Sequence, residues 1–226
     1  MNSIVFTILF TTVIMTANNS EPLSHEVTFC RDFQVTGRGD NPAWEKAEWI
    51  VLACLDEIKE YDTRVKILYS GTGIYVLAAL MDEKIVSTIE EDNADLWEED
   101  IFEIFLHPDE SCPLYFEYQV SPKGYELTLL VPNFDGDFLG WLPWKYTGER
   151  KVQKKVIVTD MGWKAEVYIP FALLKPLRNV PAVEGSTWRA NFYRMDYDTG
   201  ERDKYAWCPV DINFHQYEKF GILLFK

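Results

Sequence analysis

Residues 96–106 of the 226-residue chain read LWEEDIFEIFL. From Phe102 onward the side chains follow a period of two, because Phe102, Ile104 and Leu106 fall on one side and Glu103 and Phe105 on the other. That period is the period of a β-strand. The stretch therefore predicts a strand with one fully apolar face and a second face that carries a carboxyl group beside an aromatic ring.

Similar short apolar runs continue from about residue 24 to the end and are separated by turn residues, which is typical of an all-β domain. Strands are predicted at residues 64–80 (a hairpin around Gly71-Thr72-Gly73), 102–106, 114–120, 125–131, 155–158, 163–169, 188–195, 205–208 and 220–225. Only residues 41–49 and 170–174 favour short helical turns. We predict one antiparallel β-sandwich domain over residues 24–226, of the jelly-roll or immunoglobulin-like kind.

The charge of the chain argues against several classes of partner. The formal net charge is −14, and no cluster of Lys and Arg stands out. Nucleic acids and anionic membrane surfaces are bound through basic side chains, so neither is an expected partner. A neutral sugar is not repelled, and the 15% aromatic content supplies rings on which a sugar could stack.

The amino terminus has the features of an export signal. An apolar run covers residues 4–15, and the first charged side chain is Glu21. The run is too short to span a bilayer. We predict a signal peptide at residues 1–17, with cleavage after Ala17, and no membrane span. The mature protein is accordingly expected in the periplasm, at the cell surface or outside the cell.

Familiar catalytic and metal motifs are absent from the sequence, which contains no nucleophile elbow, P-loop, HExxH or dinucleotide fingerprint. The three histidines lack metal-ligand spacing. The four cysteines (Cys30, Cys54, Cys112 and Cys208) form no CxxC pair, and their disulfide state stays open.

The densest acidic stretch, residues 90–103, has three interpretations. It could be a solvated loop, a calcium site or part of a glycosidase carboxylate pair. Trp97, in its middle, could be a core side chain or a sugar-stacking one.

The order of motifs along residues 41–226 resembles that of the family 9 carbohydrate-binding modules, which have a DOMON-like sandwich. Residues 97–106 resemble the family's W-x-x-D-x-V-E-I-F core motif most closely. The other matches follow in the family's order: a hairpin at 63–76 followed by Asp82, a G-W…I-P strand at 162–170, a W-R-x-N-x-x-R strand at 188–194, and a terminal Phe220-Gly221.

The resemblance implies non-catalytic binding of plant-type polysaccharide fragments or glycan ends between two aromatic side chains, in polysaccharide catabolism. Trp97 matches one clamp aromatic, and Glu103 matches the acid that bonds sugar hydroxyls. Counting back from Phe220-Gly221 makes Phe214 the second clamp aromatic, with Trp207 and Tyr217 as neighbours. Further sugar contacts are expected from Gln119, Asn191 and Arg194. Many members carry structural calcium, and no other cofactor is implied.

Two other functions remain open. A glycoside-acting enzyme would use Glu103 with Asp100 or Glu117. A haem-carrying DOMON-like domain would ligate iron through His or Met, for which Met81, Met161 and Met195 are available, although no CxxCH is present.

Residues 133–146 form an aromatic insert, in which Phe134, Phe138, Trp141, Trp144 and Tyr146 stand among Gly and Asp. It could pack onto the sandwich as a long loop, or it could contact a protein partner or a wider glycan.

Overall fold

The computed structural model describes residues 22–56, 59–134 and 137–226. The predicted signal peptide at residues 1–17 lies outside the described residues. The strands are β1 (Ser24–Phe29), β2 (Ile50–Val51), β3 (Ala53–Cys54), β4 (Thr63–Tyr69), β5 (Gly73–Met81), β6 (Ile101–His107), β7 (Leu114–Val120), β8 (Glu126–Phe134), β9 (Asp137–Phe138), β10 (Leu142–Pro143), β11 (Gln153–Thr159), β12 (Gly162–Pro170), β13 (Thr187–Asp196), β14 (Asp203–Ala206) and β15 (Gly221–Phe225). The helix α1 covers Phe171–Leu174, and short 3-10 helices cover Pro42–Lys46, Leu96–Glu98, Gly148–Arg150 and Tyr217–Lys219.

The strands form two sheets that share strand β1. The first sheet has the order β10-β8-β7-β6-β13-β15-β1, and the second has the order β1-β4-β5-β12-β11. Residues 24–27 of β1 pair with β15, whereas Thr28 and Phe29 pair with β4. Both pairings of β1 are parallel, and the other pairings along the two sheets are antiparallel. The predicted antiparallel sandwich is therefore confirmed, with β1 as a parallel strand that passes from one sheet to the other.

Apolar side chains from both sheets meet in one core between them. Strand β6 contributes Phe102, Ile104 and Leu106, all fully buried, and the facing sheet contributes side chains such as Val76 and Val167. Burial of this apolar surface is the main force that holds the two sheets together.

The outer face of the first sheet is also covered. Phe105, Tyr115 and Tyr193 point away from the sandwich core and form a second apolar cluster with Phe214 and Phe220. Those two rings come from the segment between β14 and β15, which folds back over the sheet. Every residue of β6 is consequently buried, although its two faces contact different parts of the chain.

Most elements agree with the alternation in the sequence, and the exceptions have local causes. The helical turn predicted at 41–49 is only a 3-10 helix, begun by Asn41, whose side chain accepts a hydrogen bond from the backbone N–H of Ala43. Strand β1 was not among the predicted strands, because its polar, partly exposed residues give no apolar period. Part of the insert is regular, since β8 extends to Phe134 and β9 and β10 both pair with it.

The four cysteines are free thiols, and Cys30 and Cys208 are buried. No helix within the described residues has the length and apolar character needed to cross a membrane.

Gly162 offers a direct test of how closely β5 and β12 approach each other. Its φ is +125°, and a Cβ atom there would lie 2.1 Å from the carbonyl oxygen of Leu80. We expect Gly162→Ala to lower the free energy of unfolding by about 3 kcal/mol or more, because both backbone strain and a steric clash are introduced.

The matched control is Gly185→Ala. Gly185 has a φ of +88°, but a Cβ there would meet no atom within 4 Å. Strain alone should cost about 1 kcal/mol at this position. Urea unfolding of both variants measures the difference, and equal losses would contradict the close approach at Gly162.

Candidate functional site

A pocket of about 190 Å³ opens on the outer face of the first sheet. Strands β6, β7, β8 and β13 form its floor, and the loops that cover this face form its walls. The floor side chains are Glu103, Phe105, Glu117, Gln119, Leu129 and Met195, and the loop side chains include Trp97, Trp141, Phe214 and His215.

Strand register brings three polar side chains together on the floor. Glu103 of β6 lies directly opposite Gln119 of β7. Glu117 lies two residues from Gln119 and therefore on the same face of the strand. The side-chain amide of Gln119 donates a hydrogen bond to Glu117 Oε1 at 2.7 Å. All three side chains belong to residues that are at most 3% exposed.

This polar floor has more hydrogen-bond acceptors than donors. The atoms Glu103 Oε2, Glu117 Oε2 and Gln119 Oε1 are buried, and none of them has a hydrogen-bond partner among the described residues. Burying a polar atom without a partner costs about 1–3 kcal/mol, and more for a charged group. The floor is therefore suited to a ligand that brings several donors at once.

Burial also changes the titration of the floor. Desolvation, and then the charge of Glu117, raise the pKa of Glu103 well above its usual range, while Arg202 acts in the opposite direction. Desolvation raises the pKa of Glu117 to about 7. When two carboxyl groups are buried close together, ionisation of both at the same time is unfavourable.

His215 does not offset the negative charge of this carboxyl pair. Burial lowers the pKa of His215 to about 4, so its imidazole is neutral at pH 7. Its Nδ1 atom lies 2.6 Å from the hydroxyl of Tyr115, and the same Nδ1 lies 4.0 Å from Glu117 Oε2. The ring of Phe138 stacks on the imidazole with centroids 4.2 Å apart, which excludes water from one face.

Two tryptophans form one aromatic wall. Trp97 is half-buried, Trp141 is 47% exposed, and their ring centroids lie 5.5 Å apart at an angle of 57°. A sugar held between two rings would need a van der Waals contact of about 3.5–4 Å on each side, so these rings are too close to each other to hold one between them. They form a continuous surface instead.

Phe214 lines the same pocket, and its position is fixed from below. Its ring stacks on Tyr193 with centroids 4.0 Å apart, and its carbonyl accepts a hydrogen bond from the Tyr193 hydroxyl. Asn191 holds the other end of this arrangement. Its amide donates to the Tyr193 hydroxyl and to the Cys208 carbonyl, and its oxygen accepts from the Cys208 N–H.

The chain is similar in sequence and in fold to known proteins. The family model described as "Carbohydrate family 9 binding domain-like" matches residues 35–226. The chain belongs to this family. A curated relative from Arthroderma benhamiae, named "Extracellular protein", is 25% identical over 142 residues, or 58% of this chain. The match spans only 62% of that relative's length.

Solved structures share the fold. A protein from Bacteroides uniformis, proposed to bind carbohydrate, superposes with a TM-score of 0.75 at 17% identity, over 91% of this chain and 100% of that one. A family 9 module from Caldicellulosiruptor kristjanssonii, solved with cellotriose, gives a TM-score of 0.67 at 16% identity, over 90% and 93%. The same type of module solved with glucose gives 0.67 at 16% identity, over 90% and 95%.

Two of the six residues expected to contact sugar lie elsewhere in this family 9 domain. Asn191 is fully buried, and all the hydrogen bonds of its side chain go to the protein. Arg194 lies on the opposite face of β13, is also fully buried, and donates to Thr63, to the Met81 carbonyl and to two aspartates. Trp97, Glu103, Gln119 and Phe214 line the pocket together.

The pocket also contains residues that no local sequence pattern assigns to it. Trp141 comes from the aromatic insert, and Arg202 and Lys204 come from the β13–β14 hairpin and the start of β14. These segments are distant from β6 in the sequence and come next to it only in the folded chain. The period of two along residues 114–120, in contrast, is enough to put Glu117 on the same face of the strand as Gln119.

The remaining candidate residues have other positions or roles. Asp100 accepts hydrogen bonds from the backbone N–H groups of Val86 and Tyr197, so it anchors a loop. Trp207 packs in the sandwich core, and Tyr217 packs beside the second cluster. Met81, at the end of β5, and Met161, in the turn between β11 and β12, are exposed, whereas Met195 lies on the pocket floor.

The acidic stretch is a folded loop. Asp92 accepts a hydrogen bond from the Glu126 N–H, and Glu99 accepts from Thr88 and Ile89. Within the parts of the chain that the structure describes, no three acids of this stretch come close enough to share a metal ion.

The aromatic insert is half anchored. The Trp144 indole donates to the Leu173 carbonyl, and the Tyr146 hydroxyl donates to Glu126. Phe134 and Leu139, in contrast, are 67% and 58% exposed. A protein partner at this surface stays a prediction.

The buried pair predicts an unusual pH response. Between pH 4.5 and about 7 the folded protein holds a proton on Glu117 that the unfolded chain releases, so this group makes stability fall as pH rises. Glu117→Gln should therefore raise the Tm by several degrees at pH 8 and leave it nearly unchanged at pH 4. Scanning calorimetry at both pH values measures the difference.

Glu166→Gln is the matched control. Glu166 is equally buried, but its carboxylate accepts hydrogen bonds from the Thr36 and Gly37 N–H groups and from the Trp44 indole. That variant should lose stability at pH 8. A loss of Tm in Glu117→Gln at pH 8 would contradict the unpartnered state of the pocket carboxyl.

Proposed function

We propose that this protein binds carbohydrate in the pocket on β6 and β7 and does not itself catalyse a reaction there. The observation that carries the proposal is the set of unpartnered buried acceptors, Glu103 Oε2, Glu117 Oε2 and Gln119 Oε1, next to the aromatic wall. A sugar ring supplies what both features need, because its hydroxyls donate hydrogen bonds and its C–H face packs on indole.

The polar contacts divide between floor and rim. Sugar hydroxyls would donate to Glu103, Glu117 and Gln119, which have no donors of their own among the described residues at those atoms. Arg202 and Lys204 line the same pocket and can donate to sugar oxygens. Arg202 at the rim also acts against the rise in the pKa of Glu103 that burial causes, so it favours the ionised carboxylate.

The size of the pocket favours one sugar ring. About 190 Å³ is less than the roughly 300–1,000 Å³ of typical ligand pockets. The site therefore suits a glycan end or a short oligosaccharide more than the middle of a long chain. The structural relatives solved with glucose and cellotriose support gluco-configured sugars as the first ligands to test.

Export is the proposed cellular setting. The predicted signal peptide and the name of the Arthroderma benhamiae relative both support a protein that meets its glycan outside the cytoplasm. We infer a role in polysaccharide catabolism, with the chemistry supplied by partner hydrolases.

Calorimetric titration of the mature protein with glucose and cellotriose tests the proposal. Binding by the wild type is expected, and Trp97→Ala should weaken it roughly tenfold or more, equivalent to about 1.4 kcal/mol of lost stacking. Trp49→Ala is the matched control. Trp49 is 37% exposed and packs under Arg64 and Lys66, whose strand β4 lies in the other sheet, so its loss should leave the affinity unchanged.

Glu103→Gln separates binding from catalysis. The substitution replaces one acceptor by a donor, so affinity should fall roughly tenfold while the protein stays folded. Sustained release of reducing sugar by the wild type, abolished in this variant, would identify an enzyme and contradict the proposal. Absence of binding across a broad glycan panel would contradict sugar binding itself and direct attention to a protein partner at the insert.

A further inference from the structure

The floor of the pocket has more carboxyl groups than nearby cations to match them. Among the described residues, neither Glu103 nor Glu117 forms an ion pair with a Lys or Arg side chain. Of the two basic side chains that line the pocket, Lys204 is already paired with Asp56 at 3.2 Å. Within the described part of the chain this leaves Arg202 to face two carboxyl groups. One of the two carboxylate charges is therefore left without a matching cation.

The hydrogen-bond acceptors without partners on the floor belong to neighbouring side chains. They are Glu103 Oε2, Glu117 Oε2 and Gln119 Oε1. Glu103 and Gln119 are directly opposed in the ladder between β6 and β7, and Gln119 donates to the other oxygen of Glu117. A primary ammonium group carries three N–H donors and no acceptor, whereas a hydroxyl group has one proton to donate. An ammonium ion therefore matches these three atoms both in number and in charge.

The aromatic rings beside the floor also suit a cation. Trp97, Phe105 and Trp141 line the same pocket. The π face of an aromatic ring attracts a cation, and the attraction is larger where water is excluded. The Lys and Arg side chains that lie over aromatic rings in the described residues use other rings than these three. The protein's own cations thus leave the aromatic wall available to a ligand.

We propose that the preferred ligand of the pocket is an amino sugar, whose primary amine enters the floor as an ammonium ion. This inference rests on the proposed carbohydrate site and adds the charge of the ligand. The ammonium group would donate to Glu103, Glu117 and Gln119, while the apolar face of the sugar ring packs on Trp97 and Trp141. Acetylation of the amine would remove the charge and leave a single N–H, so the free amine is the form that fits.

Calorimetric titration with glucosamine, glucose and N-acetylglucosamine at pH 6.5 tests the proposal. Glucosamine should bind roughly tenfold or more tightly than glucose, because hydrogen bonds between charged groups are about twice as strong as neutral ones. N-acetylglucosamine should bind no more tightly than glucose. Ethanolamine, which carries an ammonium group but no sugar ring, should bind more weakly than glucosamine because it leaves the tryptophan surface uncovered.

Proton release gives a second readout. Burial raises the pKa of Glu117 to about 7 and the pKa of Glu103 well above its usual range, so without ligand the floor holds protons at pH 6.5. A nearby positive charge favours the ionised carboxylate. Binding of glucosamine should therefore release protons, and binding of neutral glucose should release fewer. Titrations in two buffers of different ionisation enthalpy measure this, because the observed heat then depends on the buffer.

The other titratable side chains at the pocket do not account for such a release. Burial lowers the pKa of His215 to about 4, and it raises the pKa of the Tyr115 and Tyr193 phenols, so all three side chains are neutral at pH 6.5. Arg202 and Lys204 line the pocket as cations. A released proton is thus assigned to the carboxyl groups of the floor.

Glu117→Gln tests which group recognises the amine. The variant removes one negative charge from the floor, so the preference for glucosamine over glucose should fall roughly tenfold, while the affinity for glucose changes by less than about threefold. Thermal unfolding confirms that the variant is folded. Glu149→Gln is the matched control, because it removes the same charge at an exposed position outside the pocket and should keep the full preference.

The outcomes separate this inference from the proposed function. If the wild type binds glucose at least as tightly as glucosamine, the inference is overturned and sugar binding stands. The inference is also overturned if Glu117→Gln keeps the full preference, or if ethanolamine binds as tightly as glucosamine. If the wild type binds none of the sugars, the proposed function fails together with the inference.

Discussion

The first sheet must bury both of its faces at β6, and the rest of the molecule is arranged around that constraint. One face inserts Phe102, Ile104 and Leu106 into the sandwich core, where the second sheet covers them. Among the residues that the structure describes, no second sheet lies opposite the other face, so the segment before β15 and the aromatic insert provide the cover. Loops cover a sheet less completely than another sheet does. The gap that remains is the pocket, and its floor consists of the side chains that β6 and β7 direct outward.

Burial of carboxyl groups is common in this protein, and the partners of each group decide its role. Glu166 is fully buried, yet two backbone N–H groups and an indole N–H satisfy it, so it ties the 33–47 segment to the second sheet. Glu103 and Glu117 are buried to a similar degree without enough donors. A fold that tolerates such a cost usually does so at a functional site. The absence of partners, and not the burial alone, therefore distinguishes the acids proposed to bind sugar from the structural ones.

The alternation in the sequence predicted most strands and the outward direction of Glu103, because both depend only on local periodicity. The same alternation also indicates that Arg194 faces the core and not the pocket. Along β13 it falls on the same side as the core residues Trp188, Ala190 and Phe192. The motif match alone suggested a sugar contact there. Asn191 falls on the outward-facing side of β13, but its side chain is hydrogen-bonded to the backbone of Cys208. Only the tertiary fold reveals this contact. Trp141 reaches the pocket through an insert whose path local patterns do not specify.

The two groups of unsatisfied acids differ in what can reach them. The pocket is open, has an aromatic wall and mixes an amide with carboxyls, so a ligand with many hydroxyls and an apolar face can satisfy it. The β13–β14 hairpin is closed, and its unpartnered atoms are carboxylate oxygens of Asp198 and Asp203, so a ligand of that size cannot reach them. Strand β13 connects the two groups, because Met195 faces the pocket and Asp196 begins the hairpin. Arg202, next to Asp203, lines the pocket, so the hairpin contributes a side chain to the proposed sugar site.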